Sequence, residues 1–157
     1  MSISAGSHLT RDMPERSSPE TILAFDFGLR RIGVAVGQTV TGSASPLGVV
    51  SNADTGPDFE QIDRLLEEWR PQRLVVGLPL HIDGTPGDLE PSILEFVAEL
   101  DRFGLPIERV DERHTSQEAE QALIKARQAG SRGRIKKEQI DSAAAVFIAE
   151  RYLLKNL

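Results

Sequence analysis

Apolar residues in the first third of the chain come in short runs that are separated by turn-forming residues. The run T-I-L-A-F-D at 21–26 ends in an acid and predicts a buried strand. A turn around Gly28 follows it, and the runs at 32–37 and 45–51 predict a second and a third strand. Three strands with short connections are typical of an antiparallel meander.

From about residue 58 the apolar positions recur at helical spacing, and helices then alternate with strands. A proline stops the first of these helices, and a Thr-x-x-Glu capping box opens a later one. The predicted elements are a helix at 58–70 before Pro71, a strand at 73–78, a helix over about 93–103, a strand at 106–111, a helix from Thr115 to Gly130 and a last helix from about Lys136 to Leu154.

This order predicts an α/β fold with a mixed five-stranded sheet, an antiparallel meander plus two parallel strands, flanked by helices. Right-handed crossovers place the fourth and fifth strands parallel to the first and beside it. The polar segment 1–20, rich in serine, predicts a disordered leader. Residues 21–157 then form a single domain.

Composition narrows the function classes. The chain of 157 residues has no cysteine, which excludes disulfides and thiolate metal sites, and it has no apolar run long enough for a membrane span. We therefore expect a cytoplasmic protein. The net charge of −6 argues against a nucleic-acid partner, but the segment 125–137 contains six basic residues and no acid, and it could still hold a polyanion. Its basic residues are Lys125, Arg127, Arg132, Arg134, Lys136 and Lys137.

Acidic residues follow two of the predicted strands. Asp26 ends the first strand, at the edge where open α/β sheets bind ligands. Asp111 and Glu112 end the fifth strand, and a parallel arrangement brings them to the same edge. Because strand residues alternate between faces, we expect one of these two acids to join Asp26. A strand-ending acid that begins a turn is the alternative at each position.

Asp141 lies on the last predicted helix and shares a face with Ala144, Ala145 and Ile148. Small alanine side chains allow this face to pack closely on the sheet, where an ionised carboxylate needs compensation. That compensation is either an ion pair with Lys137, one turn earlier, or a metal ion shared with Asp26. Three carboxylates would form an all-oxygen site suited to Mg²⁺ or Mn²⁺.

Four stretches of the chain, in this order, resemble the YqgF family of bacterial nucleases, which are also described as Holliday junction resolvase-like. Together they span about 22–154. The stretches are I-L-A-F-D-F-G-L-R-R-I-G-V-A-V-G, L-V-V-G-L-P-L-H-I-D-G-T, V-D-E-R-H-T-S-x-E-A and K-K-E-Q-I-D-S-A-A-A.

The resemblance implies a ribonuclease-H-like fold and a metal-dependent nuclease acting on the 5′ end of pre-16S rRNA. It assigns the catalytic and metal-binding acids to Asp26, Glu112 and Asp141, which favours Glu112 over Asp111. Arg30, Arg31 and the basic segment then bind phosphates. The related RuvC resolvases carry a further acid after the fourth strand and a second aspartate on the last helix. This chain has neither, and Glu138 lies one turn before Asp141.

Other functions stay open at this point. A nuclease for branched DNA is the nearest alternative, and a non-catalytic RNA-binding assembly factor is the second. A phosphotransferase of the actin and sugar-kinase type also begins with a strand ending D-x-G, but it needs a second domain. We expect a nucleic-acid partner, precursor rRNA in preference to branched DNA, and ribosomal precursor particles are a further candidate partner. The number of metal ions, the role of His114 and the oligomeric state are open.

Overall fold

A six-stranded mixed sheet organises the computed structural model, which describes residues 19–79, 87–111 and 137–156. For 137–141 it gives the helical backbone alone. The predicted leader and the predicted helix from Thr115 to Gly130 lie outside the described residues. The strands are β1 (Thr21–Asp26), β2 (Arg31–Gln38), β3 (Ser43–Ala53), β4 (Gly56–Pro57), β5 (Arg73–Leu78) and β6 (Ile107–Asp111). The helices are α1 (Phe59–Trp69), α2 (Glu90–Leu100), a 3₁₀ turn (Asp101–Phe103) and α3 (Lys137–Lys155).

The sheet has the strand order β4-β3-β2-β1-β5-β6. The first three strands pair antiparallel as a meander, and β5 lies parallel to β1 with β6 parallel beyond it. The predicted fold class and both parallel pairings are thus confirmed. The sequence prediction missed β4, because two residues that include a proline show no periodicity, and the strands predicted as fourth and fifth are β5 and β6.

Helix boundaries follow local chemistry. The side chain of Asp58 accepts a hydrogen bond from the Gln61 amide and so caps the start of α1. At its end Arg70 adopts a left-handed conformation, and Pro71 prevents continuation. Helix α2 ends at Leu100, three residues earlier than predicted, because the chain tightens into the 3₁₀ turn before Gly104.

The two faces of the sheet carry separate apolar clusters. Alternate residues of β1 show the division: Leu23 and Phe25 pack with the α1 and α2 side, whereas Ile22 and Ala24 pack with α3. The α3 layer includes the small residues Ala144, Ala145 and Ala149, all buried. The predicted packing of that helix face on the sheet is confirmed, and the close approach follows from the small alanine side chains.

Candidate active site

Asp26 is the last residue of β1 and is partly buried. Its neighbours on alternate positions, Ala24 and Ile22, belong to the cluster beneath α3. Because side chains alternate along a strand, the carboxylate of Asp26 lies on the α3 face. The strand end and the helix predicted to cooperate are therefore on one side of the sheet.

Glycines occupy the positions beside Asp26 on both neighbouring strands. Gly33 of β2 is its Cα partner in the antiparallel pairing. On the other side, Phe25 pairs with Val76, which makes Gly77 the neighbour of Asp26 in the parallel pairing. The two Cα neighbours of Asp26 on the adjacent strands therefore carry no side chain. Neither of these two glycines blocks the approach of a cation or a phosphate to the carboxylate.

The turn after Asp26 has one tightly constrained shape. A Cβ atom on Gly28 would lie 2.5 Å from the carbonyl oxygen of Arg31, closer than Cβ atoms come to other heavy atoms in proteins. Asn52 of β3 holds the same turn, because its amide Nδ2 donates to the carbonyl oxygen of Gly28 at 2.7 Å. Asn52 was not among the site residues predicted from the sequence. Its signal is a polar residue two positions after buried Val50, on the inward face of a strand.

Asp111 lies on the other face of the sheet from Asp26. It pairs with Leu78, which packs in the cluster beneath α1 and α2, and its neighbour Val110 packs beneath α3. The carbonyl oxygen of Asp111 accepts a hydrogen bond from Nη1 of Arg151 on α3 at 2.5 Å. The structure therefore does not bring the carboxylates of Asp26 and Asp111 to one face. Glu112 lies outside the described residues.

Helix α3 is attached to the sheet one residue after Asp141. The hydroxyl of Ser142 donates to the carbonyl oxygen of Gly48 at 2.8 Å and accepts from the Gly48 amide at 3.1 Å. Gly48 pairs with Val34, adjacent to the residue that pairs with Asp26. Two strand spacings and one residue step separate this attachment from Asp26, on the order of 10 Å.

The direction of α3 follows from a second contact. Cδ1 of Leu153 lies 3.3 Å from the position of a Cβ on Gly37, which pairs with Ile22 at the start of β1. The helix therefore begins near the end of β1 and finishes near its start. The backbone of Asp141, in the first turns of α3, lies at the Asp26 end of the sheet.

Two arginines follow Asp26 in the turn and the next strand. Arg30 is exposed at the turn, and Arg31 begins β2 with partial burial. Since Ile32 packs beneath α1 and α2, alternation places Arg31 on the α3 face together with Asp26. Of the predicted basic segment, Lys125, Arg127, Arg132, Arg134 and Lys136 lie outside the described residues, and Lys137 begins α3.

Charged groups also meet at the opposite end of the sheet. Nη2 of Arg73 donates to Glu20 at 3.4 Å, and Nη1 lies 3.9 Å from Glu108. Partial burial acts to lower the pKa of Arg73, but the bond to Glu20 and the nearby acids outweigh it and raise that pKa further. The pKa of the neighbouring Tyr152 hydroxyl is also raised. Here burial is the main cause, because it disfavours the charged tyrosinate, although Arg73 acts to lower this pKa. This cluster is a structural ion pair, remote from Asp26.

Of the three predicted metal ligands, the structure describes the side chain of Asp26. Among the side chains that the structure describes, no three acidic or histidine residues gather closely enough to hold a metal ion. Two of the three predicted ligands, Glu112 and Asp141, contribute no described side chain. In the described part of the chain, no helix has the length and apolarity needed to cross a membrane.

Comparison with known proteins adds the family context. A family model described as "RuvX: Holliday junction resolvase" matches residues 20–155. A relative from Burkholderia lata is 48% identical over 134 residues, 85% of this chain and 88% of the relative. One from Burkholderia vietnamiensis is 47% identical over 133 residues, 84% of this chain and 87% of the relative. Both are provisionally named pre-16S rRNA nuclease.

Solved structures of low sequence identity share the fold. T. thermophilus RuvC in complex with a Holliday junction substrate aligns with a TM-score of 0.51 at 16% identity, over 87% of this chain and 94% of that one. A fowlpox virus resolvase bound to Holliday junction DNA also gives 0.51, at 12% identity, over 87% of this chain and 99% of that one. At these identities the likeness establishes the ribonuclease-H-like architecture alone.

Proposed function

The chain belongs to the RuvX family of nucleases, which hydrolyse phosphodiester bonds, and on that premise we propose that it is a metal-dependent endonuclease of precursor 16S rRNA. The name of its relatives supports the RNA substrate, since they are about 47% identical over most of the chain. The proposal includes a cytoplasmic location and a substrate presented within a ribosomal precursor particle.

The placement of Asp26 carries this proposal. A carboxylate at the end of a central strand, flanked by Gly33 and Gly77, faces the helix that carries Asp141. The third ligand in the proposal is Glu112, because Asp111 lies on the opposite face and strand alternation favours the residue after it. This alternation and the family resemblance select the same acid.

These three carboxylates suit a hard divalent cation. Oxygen ligands without nitrogen or sulfur are the set that Mg²⁺ and Mn²⁺ prefer. When bound, the cation supplies the acidity that activates a water molecule and stabilises the departing oxygen. Asp26, Glu112 and Asp141 hold and orient that centre in the proposal.

The arginines supply the substrate contacts. Arg30 is exposed beside the end of β1, and Arg31 starts β2 on the face of Asp26. A guanidinium binds phosphate through two parallel hydrogen bonds, which gives orientation as well as charge. The basic segment from Lys125 to Lys137 adds charge that holds the flanking backbone.

A cleavage assay with two substrates tests the proposal. Purified protein is incubated with a precursor rRNA fragment and with a four-way DNA junction, each with Mn²⁺ and with chelator. We expect cleavage of the RNA in Mn²⁺ and none in chelator. Asp26→Asn should slow cleavage at least about a hundredfold, since loss of even an outer-shell partner of a metal ligand costs 10–100-fold. Thermal unfolding should change little.

Two matched aspartates serve as controls. Asp63→Asn changes an exposed carboxylate on α1 and should leave the rate unchanged. Asp111→Asn changes an acid at the same sheet edge but on the other face, and it should retain most of the activity. Full activity of Asp26→Asn in Mn²⁺ would show that Asp26 is not a ligand of the metal centre. Exclusive cleavage of the junction would make the chain a DNA resolvase, and RNA binding without any cleavage would make it an assembly factor.

A further inference from the structure

Asn52 is a buried polar residue that contributes nothing to the proposed chemistry directly. It lies near the end of β3 with 8% of its surface exposed. Its side-chain nitrogen and its backbone nitrogen each donate a hydrogen bond to the turn between β1 and β2. The side-chain Nδ2 donates to the carbonyl oxygen of Gly28 at 2.7 Å, and the backbone N–H donates to that of Arg30 at 2.9 Å.

These two bonds hold the turn from outside its own hairpin. The regular pairing of β1 with β2 has its last pair at Asp26 and Gly33, so the residues between them depend on other partners. The partner here is β3, because Asn52 donates hydrogen bonds to the carbonyl oxygens of Gly28 and Arg30, two alternate residues of the turn. Asn52 therefore fixes the turn relative to the sheet.

The held turn connects two proposed functional groups. Asp26 is two residues before Gly28, and Arg30 is two residues after it. A carbonyl fixed at Gly28 limits how far the backbone of Asp26 can rotate. A carbonyl fixed at Arg30 fixes the backbone position from which the Arg30 side chain extends. An error of about 1 Å in such placement can cost a hundredfold in rate.

We propose that Asn52 is a positioning residue of the active site, which holds the Asp26–Arg31 turn in the geometry required by both the metal-binding carboxylate and the phosphate-binding arginine. The inference rests on the proposed nuclease function. Its structural part concerns the turn alone and can be measured without any substrate.

The variants separate the hydrogen bond from packing. Asn52→Ala removes the donor and most of the side chain, whereas Asn52→Asp keeps the shape and replaces the donor by an acceptor. The matched control is Val50→Ala, which changes a buried residue on the same strand and the same face but leaves both bonds to the turn in place.

The first measurement is amide hydrogen exchange of the peptide covering residues 27–31. Both Asn52 variants should exchange about fivefold faster there than the parent protein, since one hydrogen bond contributes about a factor of five to the equilibrium between the held and the open turn. Val50→Ala should exchange at the parent rate in this peptide even if its melting temperature falls further. Equal exchange in the parent and in Asn52→Asp would overturn the inference.

The second measurement is cleavage kinetics well below the melting temperature of every variant. We expect a lower kcat and a higher KM in both Asn52 variants, about tenfold in kcat/KM, and parent values in Val50→Ala. Unchanged kinetics with a lower melting temperature would mean that Asn52 is structural, which overturns the positioning role. If the parent cleaves nothing, the nuclease proposal fails, while the exchange result still decides whether Asn52 holds the turn.

Discussion

The attachment of α3 to β3 by one serine hydroxyl leads to a quantitative prediction. Ser142 is 4% exposed and forms two hydrogen bonds with the backbone of Gly48, 94 residues away in sequence. Gly48 has a φ of 111° and lies where the β2–β3 register shifts, so Val34 pairs with Gly48 and Ala35 with Pro46. The N–H and C=O of this irregular residue depend on the serine.

Ser142→Ala should therefore lower the free energy of unfolding by an amount that can be worked out. Each of the two lost bonds contributes about 1 kcal/mol net. Alanine is the better helix former by about 0.5 kcal/mol, which offsets part of the loss and leaves about 1.5 kcal/mol. For a domain of this size that corresponds to a fall in melting temperature of roughly 5 °C.

Urea unfolding followed by tryptophan fluorescence measures the change, with Ser51→Ala as the control. Ser51 lies on β3, the strand that Ser142 contacts, but it is exposed, and its truncation should change stability by less than about 0.5 kcal/mol. Since Asp141 directly precedes Ser142, Mn²⁺ affinity should fall in Ser142→Ala and not in the control. A loss for Ser142→Ala no larger than that for Ser51→Ala would refute the reasoning.

Two further predictions concern other parts of the molecule. Gly28→Ala should reduce cleavage at least about tenfold, because its Cβ would lie 2.5 Å from the Arg31 carbonyl oxygen; Gly104→Ala, with φ of 73° and open space around its Cβ, should cost only stability. Tyr152 is the one tyrosine of the chain, so a pH titration of tyrosinate absorbance follows this residue alone. The midpoint in urea should lie near 10, and the midpoint of the folded protein should lie above it, because the pKa of Tyr152 is raised. The contribution of this group to the free energy of unfolding is fully present below about pH 10 and is lost as the pH rises through the folded-state pKa. Tyr152→Phe should therefore make the decline of stability at alkaline pH shallower.

Local pattern alone was sufficient for most of the fold. The short apolar runs predicted β1 and β2, whose central residues are buried on both faces of the sheet, and the helical spacing of apolar residues predicted α1. The parallel pairing of β5 with β1 follows from the handedness of crossover connections. The family motifs around Asp26 and Asp141 could likewise be read from the chain, because their residues are contiguous.

Tertiary structure decided which side chains share a face and which distant residues hold the site. Strand alternation alone left Asp111 and Glu112 as alternatives, and the family resemblance favoured Glu112. The pairing of Asp111 with Leu78 then placed Asp111 on the face away from Asp26. Asn52 and Ser142 are ordinary polar residues in the sequence, because their partners, Gly28 and Gly48, lie 24 and 94 positions away. A hydrogen bond across such a separation leaves no local period, so only the folded chain reveals it.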